Sequence, residues 1–142
     1  MSLVYTRAKY LLATGALNLA TDDIRVLLVD STTTADTQED VTNLAAFTTL
    51  GELSGTGYAR KTFTSEAVNE DTTNNRAEFD AEDLTWTAID AGTAAAAIVY
   101  KHVGADSANI PIAYIDSGGF PKVTNGGDLT ITWNAEGILQ LT

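Results

Sequence analysis

The residues best placed to do chemistry lie in GELSGTGYARKTF, where Gly55 and Gly57 flank a threonine and Arg60 and Lys61 follow. Such a run could cradle a phosphate. A Walker-type loop, however, needs its lysine directly after the second glycine, and here Tyr58 stands there. A dinucleotide loop needs a third glycine opening a helix, and here Arg60 fills that slot and a strand pattern follows. Both templates fail, and the run reads as a glycine turn feeding a strand. Arg60 and Lys61 then fall on opposite faces of that strand, so they cannot form one basic clamp. One of them must sit on the more buried side or at an edge, where a carboxylate partner is expected. In a chain this acidic, the pair is assigned to a subunit or partner contact, together with Phe120 and Lys122 of the later glycine-rich loop.

Other arrangements are weaker still. His102 is the only histidine and reads as an exposed residue at a strand end, with no serine elbow near it. Glu78, Asp80 and Glu82 would line one strand face about 6.6–6.8 Å apart, a spacing that inverting glycosidases use. A solvated strand face gives the same spacing, and that reading is preferred. The acids of this stretch, or Asp36, Glu39 and Asp40, could attract calcium, but the EF-hand pattern is absent. A carbohydrate platform would draw on Trp86, Trp133, Tyr114 and Phe120. Trp133 is in phase with Leu129 and Ile131 and so reads as core; Trp86 and Phe120 are left open between core and surface. No catalytic residue, cofactor or metal is assigned.

The elements that must position these residues follow from periodicity. Val4, Ala8, Leu11 and Leu12 share one helical face, with Ser2 as the expected cap and Gly15 suited to the left-handed position at the end. Ile24 to Asp30 reads as a central strand, apolar on both faces. Ser31 to Asp40 reads as loop, and Val41 to Leu50 as a short helix capped by Asp40. Tyr58 to Thr64 and Arg76 to Ala81 alternate as strands, with Ala77, Phe79 and Ala81 facing inward. The alanine run before Ile98 is read as a buried strand, continuing to Val103. Ile110 to Asp116 is a further strand, with Pro111 tolerated at its beginning or at an edge. Ser117 to Asp128 is a long loop with four glycines. Leu129 to Asn134 forms a strand whose hairpin partner is Ile138 to Thr142, across a turn closed by Gly137.

The result is a mainly β single domain over 1–142: an antiparallel β-sandwich or barrel of about seven or eight strands with one short N-terminal helix. The 22 threonines and 21 alanines fit this, as β-branched and small side chains between close layers. The absence of cysteine excludes disulfides and thiol chemistry. A net charge of −11 argues against nucleic acid and against an anionic membrane. No h-region or apolar run long enough to span a bilayer is apparent, so the chain is expected to be soluble and made in the cytoplasm.

VYTRAKYLLATGALNLATDDIRVLLVD, GELSGTGYARKTFT, NNRAEFDAEDLTWTAIDAGTAAAAIVYKH and IPIAYIDSGGFPKVTNGGDLTITWNAEGILQLT together resemble a family of small virion proteins encoded in the structural modules of tailed bacteriophages. The likeness covers almost the whole chain and consists of strand and turn patterns. It implies a structural role in the virion, foremost as a head decoration (cement) protein. Such a protein would act as a homo-oligomer, a trimer favoured, on the major capsid protein. The alternative is a tail or host-recognition module that binds carbohydrate. The resemblance carries no catalytic residues with it.

Overall fold

The computed structural model describes residues 2–142. Its elements run β1 (Leu3–Val4), α1 (Thr6–Thr14), β2 (Ile24–Val29), a 3-10 turn (Leu44–Ala46), β3 (Lys61–Thr62), β4 (Ala67–Asp71), β5 (Arg76–Asp80), β6 (Leu84–Trp86), β7 (Gly92–Ala94), β8 (Ala96–Lys101), β9 (Ile110–Ile115), β10 (Lys122–Thr124), β11 (Leu129–Ile131) and β12 (Leu139–Leu141). All pairings are antiparallel. The largest sheet has the order β1-β9-β8-β2-β3; three small sheets pair β10 with β7, β11 with β6, and β5 with both β12 and β4. The fold is therefore mainly β and sandwich-like, as its composition and alternation predict. Several of the twelve segments are only two or three residues long.

The large sheet separates two cores. Ile24, Val26 and Leu28 of β2 join Ala97 and Val99 in the larger core, where Ala8 and Leu11 of α1 and the apolar residues of the small sheets close over them. Leu27, Val29, Ile98 and Tyr100 point the other way, and Ala35, Leu44 and Phe47 of the 31–50 segment cover them. β2 is buried on both faces because both have a lid, as its unbroken apolar run requires. The run read as one buried strand from Thr93 to Val103 is two: it breaks at Ala95, β7 pairing with β10 and β8 with β2 and β9, and it ends at Lys101. Ala94, Ala96 and Ala97 are fully buried. Pro111 is the second residue of β9, beyond the stretch that β1 pairs with, and β8 shifts register opposite it. Its missing N–H is thus accommodated where the ladder is already irregular.

Several further expectations need correction. Ser2 does not cap α1: Tyr5 holds that position, and the Ser2 hydroxyl bonds the Ser117 hydroxyl at 2.8 Å. Leu3 and Val4 leave the helix to pair with Tyr114 and Ala113. Val41–Leu50 forms no α-helix. The amides of Leu44 and Ala45 are drawn to the carbonyls of Asn109 and Asp106, and the intended cap Asp40 instead accepts the Thr6 hydroxyl. Only Lys61–Thr62 of the Tyr58 segment is strand, and the 117–128 loop contains β10. Finally, β11 and β12 are not hairpin partners: Leu129–Ile131 pairs with Trp86–Leu84, whereas Leu139–Leu141 pairs with Phe79–Ala77. The turn at Gly137 has the expected positive φ of 96°, but it hands the chain from one sheet to the next, where the Ile138 amide bonds the Phe79 carbonyl. Gly15 ends α1 at φ 74°, as expected.

Candidate functional site

The glycine run holds an anion, but one from its own chain. Gly55 and Gly57 have positive φ, and the Thr56 amide donates to Asp90 Oδ2 at 2.9 Å. The Asp90 amide returns a bond to the Thr56 carbonyl at 3.0 Å. A Cβ at Gly57 would lie 2.6 Å from the Thr87 carbonyl oxygen, so the loop is packed flat against the 87–90 segment. Its Thr56 amide is already engaged by a carboxylate, and its Tyr58 amide by the Gly55 carbonyl.

Downstream, Arg60 and Lys61 part as expected. The Lys61 ammonium sits over the Trp86 ring, 5.6 Å from its centroid, on the larger-core side. The Arg60 guanidinium lies 5.4 Å from the Tyr100 centroid, on the other side. Arg60 has the carboxylate company that its position demands. Nε and Nη2 grip Glu52 at 2.8 and 2.6 Å, while Nη1 and Nη2 grip Asp106 at 2.6 and 2.8 Å. The knot extends further: Tyr58 donates to Glu52 Oε1 at 2.8 Å and accepts the Leu28 amide at 3.1 Å. Asn109, itself buried, donates to Asp106 and accepts from the amides of Val103 and Gly104. The hydrogen bonds from Arg60 hold Asp106 below the usual carboxylate range, and the two carboxylates hold Arg60 firmly charged. Burial, with Glu52 alongside, raises the Tyr58 hydroxyl above the usual phenol value. Such a charge-assisted, bidentate cluster fixes the geometry of the segments that it joins.

The acidic stripe also disperses. Glu78 receives Arg76, which reaches Asp71 and Glu136 as well. Asp80 caps the Ala81 amide. Glu82 lies beyond β5 and takes the hydroxyls of Thr64 and Ser65, which hold its pKa down. Among the described residues no group of three or more histidine, aspartate or glutamate side chains converges as a metal site, and Asp36, Glu39 and Asp40 form none. His102 is half-buried rather than exposed, and its Nδ1 is enclosed without a hydrogen-bond partner among the described residues.

Two hollows lie among the described residues: an open one of about 360 Å³ beside the Arg76 ion pairs, lined by Glu70, Asp71 and Asn75, and a cleft of about 340 Å³. The cleft opens at the β1 edge of the large sheet. β1 and the end of β9 form one wall, the chain from Ile131 to Gln140 forms the other, and Ser117, Gly118 and Phe120 form the end. Phe120, of the residues assigned to partner contacts, lines this cleft and is half-buried. Lys122 is half-buried at the start of β10. Trp86 is core, 1% exposed, with its indole N–H on the Ala59 carbonyl at 2.7 Å. Trp133, correctly read as core, also borders the cleft. It is 9% exposed, and its Nε1 has no hydrogen-bond acceptor among the described residues. A buried donor without an acceptor costs about 1–3 kcal/mol. Sequence reasoning picked out Phe120 and its glycine loop but missed Ser2, Asn134 and Gln140 as lining residues. Only the long-range β1–β9 pairing and the jump from β11 to β12 bring them together.

Among the described residues no helix is long and apolar enough to cross a membrane. Comparisons with protein-family models, with curated proteins and with solved structures find no match to the chain.

Proposed function

We propose that the chain is a structural subunit of a tailed-phage virion, a head decoration protein that docks as a symmetric homotrimer on the assembled shell of major capsid protein. One structural observation carries the reading beyond the sequence resemblance. The charged residues that would serve chemistry are used as internal braces, with Arg60 tying Glu52 to Asp106 and Arg76 tying Asp71, Glu78 and Glu136. Braces of this kind fix loops rigidly, which suits a part whose task is to present an unchanging surface. Closed rotational symmetry is the ordinary way for such parts to assemble. The net charge of −11 would steer the protein toward basic patches on a shell.

Light scattering on the purified protein should return three times the mass of 15.0 kDa. Cosedimentation should place the protein with undecorated capsids and leave it in the supernatant when capsids are omitted. A strict monomer that ignores capsids would sink the proposal.

A further inference from the structure

We infer that the cleft at the β1 edge binds one neutral sugar ring, the terminal hexopyranose of a glycan. Its size comes first. About 340 Å³ is at the small end of the roughly 300–1,000 Å³ typical of ligand sites, which suits a single ring. Its charge comes second. None of the described residues lining it is ionised at neutral pH, in a chain with 27 charged side chains (19 acidic and 8 basic). A charged ligand would find no counter-ion there, and a neutral one gives up least on entering. Its chemistry comes third. Phe120 and Trp133 offer apolar ring surface, while Ser117, Asn134 and Gln140 offer the neutral hydroxyl and amide capacity left beyond their bonds to the Ser2 hydroxyl, from the Glu136 amide and to the Glu136 carbonyl. A pyranose presents that same mixture of C–H faces and equatorial hydroxyls. Trp133 adds a buried indole N–H that has no acceptor among the described residues.

The site does not depend on the decoration role. A trimer on the head and a module on the tail could each present it, so failure of capsid binding and failure of sugar binding are separate results. It also differs from a surface platform built on Trp86, because that ring is sealed in the core.

The test is a two-dimensional amide and indole NMR titration of the full chain. The probes are the methyl glycosides of glucose, galactose, mannose and N-acetylglucosamine, with methyl glucuronide as the charged control. At least one neutral ring should shift the Trp133 indole signal and the amides of Ser117 to Phe120, leave the Trp86 indole unmoved, and saturate with a Kd on the order of 1 mM. Phe120→Ala should weaken it about tenfold; Ser117→Ala, which leaves the apolar wall intact, should weaken it measurably if Phe120→Ala fails to fold. An oligosaccharide ending in the active ring should bind at least as well. The inference is overturned if no neutral ring moves these signals at roughly fifty times that concentration, if the glucuronide binds equally, or if the oligosaccharide is rejected. It also falls if the cleft signals respond only to protein concentration, which would make a second copy the occupant.

Discussion

Arg60 and Asp106 meet in a two-pronged ion pair, Nη1 to Oδ1 at 2.6 Å and Nη2 to Oδ2 at 2.8 Å, across 46 positions of sequence. Through it the loop after β8 is locked to the segment before β3, and Asn109 carries the lock on to Val103 and Gly104. Arg60 is about a quarter exposed and Asp106 about a third, so the pair gains from geometry more than from burial. Arg60→Lys keeps the charge but loses the fork that spans both carboxylates. It should lower stability by about 1–3 kcal/mol, read as an earlier urea midpoint at unchanged slope. An unchanged midpoint would mean that the knot adds nothing to the fold.

The same pair predicts a pH signature. Arg60 holds Asp106 below its ordinary value, so the unfolded chain takes up the proton first as pH falls. The stabilisation is therefore complete above the unfolded pKa of about 3.9 and is lost as pH falls through the lower folded value. Asp106→Asn should be less stable than wild type at pH 7, and the gap should shrink below about pH 4. Asp23, held down by Arg25, belongs to the same window. So does Asp22, where Lys101 and the Asn18 amide outweigh the upward push of burial. A gap between wild type and variant that widens on acidification would contradict the assignment.

How far the sequence could be read is clear from these residues. That one of Arg60 and Lys61 needs a carboxylate followed from their alternation; that it is Arg60, and that its far partner is Asp106, did not, because nothing local links positions so far apart. The core phase of Leu129, Ile131 and Trp133 was equally legible, all three being buried. Their strand partner was not. A turn with a well-placed glycine looks the same whether the chain folds back on itself or steps across to Phe79, and the choice rests on packing between sheets. The Val41–Leu50 segment was misread for a related reason. Its apolar spacing suits a helix, but Leu44 and Phe47 are spent covering the second core and its amides are claimed by the 106–109 loop. The cleft escaped notice because its walls come from both ends of the chain.

Two glycines with similar backbone angles should respond differently to alanine. Gly57 (φ 78°) would push a Cβ into the carbonyl oxygens of Thr87 and Ala88, whereas Gly118 (φ 72°) has nothing within 4 Å. Gly118→Ala should show only the cost of a left-handed alanine, about 1 kcal/mol. Gly57→Ala adds a backbone clash that must open the contact with the 87–90 segment, so its loss should exceed the other by about 1–3 kcal/mol. Thermal melts of the two variants side by side give the comparison. Equal losses would mean that the loop is free to move away from Thr87.

Tyr58 offers the sharpest single-atom test. Beyond the stretch that pairs with β3, β2 would present a bare edge at Leu28. There the Leu28 carbonyl accepts the Leu53 amide, and the Leu28 amide donates to the Tyr58 hydroxyl. That hydroxyl thus serves as a substitute ladder partner, and it donates its own hydrogen bond to Glu52. Tyr58→Phe keeps the ring and removes only the oxygen, leaving a partly buried strand amide without an acceptor and Glu52 short of one donor. The expected cost is about 1–3 kcal/mol. Tyr10→Phe, at a ring that is 58% exposed, should cost within about 0.5 kcal/mol. Hydrogen exchange adds a readout that a general loss of stability would not reproduce. In Tyr58→Phe the Leu28 amide should lose protection out of proportion to its neighbours Leu27 and Val29. If Leu28 exchanges in step with them, the hydroxyl is not its partner.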